Sequence, residues 1–93
     1  DVYFVSVMNG PGSDKDGNGY IVKINAANLG ESQLFAVGGK NGVRLDAPKG
    51  LAIHGDTLWA TDIDVLRAFN RFSGKPLGGI DLKPYGAVLL NDI

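Results

Sequence analysis

The side chains best suited to binding a metal ion lie at residues 14–19, DKDGNG. Carboxylate and amide oxygens at alternate positions, followed by a glycine that permits a sharp turn, are typical of calcium-binding loops. Asp14, Asp16 and Asn18 would be the ligands. An EF-hand also needs flanking helices and a Glu at the twelfth position, which here is Asn25. Two interpretations stay open, a calcium loop of another kind and a polar surface loop, and the strand-like flanks favour the surface loop.

Three other groups of residues have types that could form a chemical site. Asp62 and Asp64 are two residues apart, so on a strand their carboxylates would point the same way and could serve acid–base chemistry. Their place between two predicted strands favours solvated turn residues instead. His54 is the only histidine and there is no cysteine, so it cannot anchor a zinc site alone. The glycines at 38–42 do not match a phosphate-binding loop.

Composition restricts the class of protein. The 93 residues suffice for one small domain, and the 9 basic and 10 acidic residues are interspersed. The sequence has no block of basic residues that would indicate binding to nucleic acid or to a membrane surface. It also has no run that approaches the ~18 apolar residues of a membrane span. The absence of cysteine excludes disulfides and leaves the compartment open. Because the sequence starts at Asp1, we expect a processed product or a fragment.

The elements that must position these side chains are short strands joined by turns. β-branched and aromatic residues bounded by Gly, Asn, Asp and Ser predict strands at 2–7, 20–25, 33–37, 51–54, 57–61 and 77–82. Residues 55–56 predict a two-residue hairpin turn. Residues 65–71 are ambiguous, because their apolar side chains fit helical spacing as well as alternation.

An internal repeat resolves that ambiguity. Residues 1–6 align with 56–61, residues 20–25 with 65–70, and Leu34 with Leu77. The same two-strand unit therefore occurs twice, and the DKDGNG loop is an insertion in its first copy. A period of about 40–45 residues with four short strands is typical of a propeller blade. The repeat predicts an all-β fold and a strand at 65–71.

Residues 47–62 (APKGLAIHGDTLWATD), with Val65, Phe69-Asn-Arg71 and Ser73-Gly-Lys75, resemble an NHL-type blade. More narrowly they resemble the SMP-30/gluconolactonase/LRE-like family, which implies a six-bladed β-propeller of four-stranded antiparallel sheets. Under this resemblance residues 1–46 are a first blade that lacks its innermost strand, 47–86 are a second blade, and 87–93 start the next. Because a repeat array needs about three units for stability, we expect the missing blades or further copies of this chain as partners.

The family resemblance also implies a function. In such lactonases Asn and Asp side chains at the blade entrances hold a divalent cation and a small-molecule substrate, and Leu90-Asn-Asp-Ile93 resembles one entrance. Asn91 would be a metal or substrate ligand, with Asp92 beside it, although a turn there is the favoured alternative. The implied activity is metal-dependent lactone or ester hydrolysis, which we do not expect from these residues alone. The alternative is a non-catalytic NHL-like binding module for a protein or small ligand.

Overall fold

The structure is a computed structural model that describes residues 2–8, 17–25, 27–28, 30–40, 42–82 and residue 84. This part of the chain forms strands and contains no α-helix, which confirms the all-β prediction. It also has no helix with the length and apolar character needed to cross a bilayer. The first sheet contains β1 (Val2–Val7), β2 (Tyr20–Asn25) and β3 (Ser32–Val37). The second contains β4 (Pro48–His54), β5 (Thr57–Asp62), β6 (Val65–Asn70) and β7 (Pro76–Asp81).

The ambiguous segment is strand β6, as the repeat predicted. It pairs antiparallel with β5 on one side and with β7 on the other, so its backbone groups are used in both directions. Phe69 faces the interior and is 1% exposed. The helical spacing of its apolar residues is accidental, because each face of this strand carries apolar residues, Val65 and Phe69 on one and Leu66 and Ala68 on the other.

The two sheets repeat the same hairpin in the same register. Every pair between β1 and β2 has its aligned counterpart between β5 and β6. Because a slip of one residue would exchange the two faces of a strand, this agreement fixes which faces correspond. The pairs at the hairpin ends are Val2–Asn25 and Val7–Tyr20 in the first sheet, and Thr57–Asn70 and Asp62–Val65 in the second.

The third strand of the repeat corrects the alignment of Leu34 with Leu77. Leu34 pairs with Val22, whereas Arg67, the counterpart of Val22, pairs with Gly79. Leu34 therefore corresponds in register to Gly79. The reason is that a β-bulge shifts the third strand at a different point in each sheet, and such a bulge leaves no clear signal in the sequence.

Matching asparagines begin the turns that follow the hairpins. The side-chain Oδ1 of Asn25 accepts a hydrogen bond from the amide of Ala27 (2.9 Å). The Oδ1 of Asn70 accepts from the amides of Phe72 and Ser73, both at 3.0 Å. Asn favours such turns because its side chain bonds to the backbone about two residues on.

The hydrophobic core lies between the two sheets. The ring centroids of Phe4 and Phe35, from the first sheet, are 4.8 Å apart, and Phe35 is 6.4 Å from Phe69 of the second. Edge-to-face packing of this kind adds stability beyond the apolar area buried. The buried members of the core are Ile21, Ala36, Val43, Leu45, Leu58, Ala60 and Phe69.

The first strand of the second sheet lies beside the first strand of the first sheet. β1 packs next to β4, and the Ser6 hydroxyl donates a 2.7 Å hydrogen bond to the carbonyl of Lys49. The pairing of β4 with β5 is irregular between Pro48 and Leu51. On the β5 side of this stretch, the Thr61 hydroxyl accepts a 2.8 Å hydrogen bond from the amide of Gly50. The aligned hydroxyls of Ser6 and Thr61 thus satisfy backbone groups where the β4–β5 ladder is interrupted.

Candidate functional site

Three segments meet at the end of the molecule where the β5–β6 turn lies. They are the last residues of the long β1–β2 loop, the connection from β3 to β4, and the turn itself. The amide of Gly17 donates to Asp46 Oδ1 at 2.8 Å, and the amide of Gly19 donates to the carbonyl of Leu45 at 3.1 Å. The C-terminal part of the DKDGNG stretch is therefore held against the β3–β4 connection.

Asp62 is the centre of this meeting point. Its side chain is 0% exposed and accepts hydrogen bonds from three donors. The amide of Ala47 donates to Oδ1 at 2.7 Å, and the amide of Asp46 lies 3.1 Å from both oxygens. The Nε of Arg67 donates to Oδ2 at 2.8 Å. One carboxylate thereby fixes the start of the second sheet to its central hairpin.

Arg67 extends the contact to a second buried carboxylate. Its terminal nitrogen lies 3.8 Å from Asp46 Oδ2, and the Nε of Arg44 lies 3.6 Å from the same oxygen. The side chains of Asp46 and Arg67 are 3% and 17% exposed, while that of Arg44 is 64% exposed. Buried charges are tolerated only when they are paired and hydrogen-bonded, and this cluster meets that condition. We call Asp46, Asp62 and Arg67 the carboxylate–arginine cluster.

The buried position of Asp62 and Asp64 contradicts the prediction of solvated turn residues. They are 1% and 4% exposed. The intervening Ile63 has a φ of 56° and is itself buried, so the turn folds inward. Asp64 belongs to this two-residue turn and not to a strand, so the alternation that would align the two carboxylates does not apply. The bonds of Asp62 to two amides and a guanidinium assign it a structural role, because a general base needs a free lone pair facing substrate.

Of the residues predicted as metal or substrate ligands, only Asn18 falls within the described part of the chain. Asn18 is described and its side chain is exposed. Asp14, Asp16, Asn91 and Asp92 lie outside the described residues, as does the whole of 87–93. Within the described ranges, no three His, Cys, Asp or Glu side chains are grouped as metal ligands. His54 is exposed at the end of β4, as a polar-facing strand residue should be.

Sequence reasoning missed Asp46 and Arg67. A signal existed for Arg67, because once β6 is a strand paired with β5, Asp62 and Arg67 are diagonal neighbours on one face of the hairpin. No comparable signal existed for Asp46. It approaches Asp62 through the β3–β4 connection, which has no regular structure from which to predict a direction.

One groove lies away from this cluster, at the opposite end of the first sheet. It has a volume of about 550 Å³, and its polar lining comes from Lys23, Asn25, Glu31, Ser32 and Gln33. Asn25 and Glu31 already hydrogen-bond to each other at 3.2 Å. The groove is open and has no buried polar group directed into it, so it gives no indication of a ligand.

Comparison with protein-family models, curated proteins and solved structures found no match. The functional interpretation of this all-β chain therefore depends on its own strand register, its buried charges and its exposed faces.

Proposed function

We propose that the two sheets are neighbouring blades of a β-propeller. The observation that carries this proposal is the path of the chain from β3 to β4. The chain leaves the last strand of one sheet and enters the next sheet at the strand beside β1, so both sheets run outward in the same order. Propeller blades are connected in this way, and the shared hairpin register supports the same assignment.

We further propose that the chain supplies the scaffold of an SMP-30/gluconolactonase-like propeller and not its complete active site. The resemblance implies hydrolysis of a lactone or ester at a divalent cation, with Asn91 and Asp92 at a blade entrance. When bound, such a cation would polarise the carbonyl. Asp46 and Asp62 are already engaged by Arg67 and by backbone amides, so neither is left to serve as ligand or base. The remaining ligands would come from sheets outside this chain.

A non-catalytic binding module is the second candidate. It is favoured by the same cluster, because the buried charge at the turn end of the second sheet is used to hold three segments together. A rigid end of this kind suits the display of loops to a protein or small ligand. Propellers carry many unrelated functions, so only assays separate the two candidates.

Incubation of this chain with aliphatic lactones and aryl esters should give no turnover above buffer. The reason is that Asp46 and Asp62, the two carboxylates of the carboxylate–arginine cluster, are committed to structure. Each substrate is tested with Ca²⁺, Mg²⁺, Mn²⁺ or Zn²⁺ at about 1 mM, a concentration that fills even weak sites, and with EDTA as the blank. Metal-dependent turnover that disappears in Asn91→Ala would contradict the scaffold role and establish a hydrolase within these residues.

Calcium titration should give no saturable heat for the native chain or for Asp16→Ala. We expect this because the loop lacks the twelfth-position Glu and its final residues are held by Asp46 and Leu45. Isothermal calorimetry up to about 1 mM calcium covers the range of weak sites. Heat that is present in the native chain and lost in Asp16→Ala would instead assign the loop as a calcium site. Heat lost only in Asn91→Ala would assign the entrance.

A further inference from the structure

The first sheet presents an apolar face on the side away from the core. Tyr3, Val5 and Leu34 are 59%, 43% and 62% exposed. The strand pairing places them on one face together with half-buried Tyr20, Val22 and Ile24. None of the paired residues on this face is charged. We call it the outer face of the first sheet.

The second sheet presents an apolar face in the opposite direction. Trp59 pairs with Ala52 and Ala68, and Leu66 pairs with Ile80, which is 47% exposed. These residues alternate with Leu58, Ala60 and Phe69, which form the core. Again no paired residue on the face is charged. We call it the outer face of the second sheet.

The repeat makes these two outer faces copies of the two faces that already pack together. The outer face of the first sheet corresponds to the buried face of the second, and the outer face of the second sheet corresponds to the buried face of the first. The aligned pairs are Tyr3 with Leu58, Val5 with Ala60 and Ile24 with Phe69, and Trp59 with Phe4, Leu66 with Ile21 and Ile80 with Ala36.

We propose that a second copy of this chain docks head to tail, with the outer face of its second sheet on the outer face of the first sheet. The internal contact between the sheets supplies the template, since the same structural positions meet in the same way. Stacked sheets pack about 10 Å apart, so the new contact continues the internal spacing. Because two different faces meet, each docked pair leaves one free face of each kind, and association proceeds until a ring closes.

The charge distribution favours the intermolecular contact. Val7 and Val22 occupy the positions that Asp62 and Arg67 occupy in the second sheet. The exposed face therefore has no buried ion pair to accommodate, and docking desolvates only apolar and neutral side chains. Uncharged apolar patches on two faces of one small domain are typical of interaction surfaces.

The docking of a second copy rests on the blade geometry of the proposed function, and it does not depend on any catalytic activity. Its test uses one substitution on each outer face, Val5→Lys and Ile80→Lys. Both positions are exposed in the single chain, so the fold should tolerate them, whereas their counterparts Ala60 and Ala36 are 0% and 3% exposed at the internal contact. Both substitutions introduce a lysine. A new salt bridge between the two substituted side chains therefore cannot hold the mixed variants together. Ser73→Lys in an exposed turn is the control.

Sedimentation velocity should show multiples of 9.8 kDa for the native chain and for Ser73→Lys. Val5→Lys and Ile80→Lys should each be monomeric, with the dissociation constant raised at least about 100-fold. Mixed in equal amounts, the two variants should form a dimer, because each retains the face that the other needs. A monomeric native chain with an intact strand spectrum would overturn the docking and leave the scaffold proposal to the hydrolysis assay. If the mixed variants fail to pair, the head-to-tail docking is overturned as well. Any association of the native chain would then come from contact between two identical faces.

Discussion

Replacing Asp62 by alanine should lower the free energy of unfolding by about 3–5 kcal/mol, a large part of the 5–15 kcal/mol typical of a whole domain. The substitution removes the acceptor for the amides of Asp46 and Ala47 and leaves the guanidinium of Arg67 with a weaker partner. These donors are buried, so water cannot fully replace the lost carboxylate. A buried donor that loses its acceptor destabilises the fold by the full free energy of its desolvation.

Asp56→Ala is the matched control for this prediction. It removes the same charge from an exposed hairpin turn, and it should change the free energy of unfolding by less than about 0.5 kcal/mol. Urea unfolding followed by the fluorescence of the single tryptophan, at one fixed protein concentration, measures both variants. Arg67→Met separates the guanidinium from the two amides and should have an effect between those of the other two. Equal stability of Asp62→Ala and Asp56→Ala would show that the cluster does not hold the three segments together.

Replacing Gly38 by alanine should destabilise the chain by about 3 kcal/mol. A Cβ atom at this position would contact the carbonyl oxygen of Leu45, and it would lie 2.6 Å and 3.0 Å from those of Gly17 and Gly19. All three are backbone atoms, so no side chain can rotate away. The clash would also strain the 2.8 Å bond from the Gly38 amide to the Gly19 carbonyl. The end of the long loop should therefore separate from the β3–β4 connection.

Gly30→Ala tests whether this effect is specific to the close packing at Gly38. At Gly30 a Cβ would meet only Asn28 Oδ1, at 3.4 Å, and the expected change in unfolding free energy is within about 0.5 kcal/mol. The same urea experiment measures both variants. A Gly38→Ala protein as stable as Gly30→Ala would mean that the three backbone segments are further apart than described here.

The strands could be predicted from the sequence because their signals are local. Turn residues bound each strand, and β-branched and aromatic residues fill it, as in β1 and β2. For β6 the local signal was ambiguous, and the repeat decided correctly because its aligned hairpin must adopt the same register. The strand ends are shifted most at β4, which starts at Pro48, earlier than predicted, because hydroxyls from other strands support its irregular start.

The carboxylate–arginine cluster could not be predicted because it depends on long-range contacts. Two aspartates at the junction of two predicted strands resemble solvated residues, and only the arrival of Asp46 makes Asp62 a buried acceptor. Gly38 directly follows the predicted strand at 33–37. The reason that it cannot carry a side chain is the close approach of the carbonyl oxygens of Leu45 and Gly17. In both cases the cause lies in the β3–β4 connection, whose path no local pattern determines.

The shared register connects the fold with the proposed role of the chain. Because the two sheets are copies of one unit, the contact between them specifies what can cover the two outer faces. Under the proposed function, these sheets would belong to a closed propeller whose blade entrances form a ligand-binding mouth. Self-docking concerns only the faces, whereas hydrolysis concerns only the entrances, so the two proposals can fail independently.

The most direct test is an isotope-filtered nuclear Overhauser measurement on the mixed dimer. Ile80→Lys, labelled with ¹³C, retains Val5, and unlabelled Val5→Lys retains Trp59. Repetition of the internal contact predicts cross-peaks from the labelled Val5 methyls and Tyr3 ring to the unlabelled Trp59 indole and Leu66 methyls. A dimer whose cross-peaks avoid Trp59 and Leu66 would contradict it, because the two outer faces would then not be copies of the faces packed inside the chain.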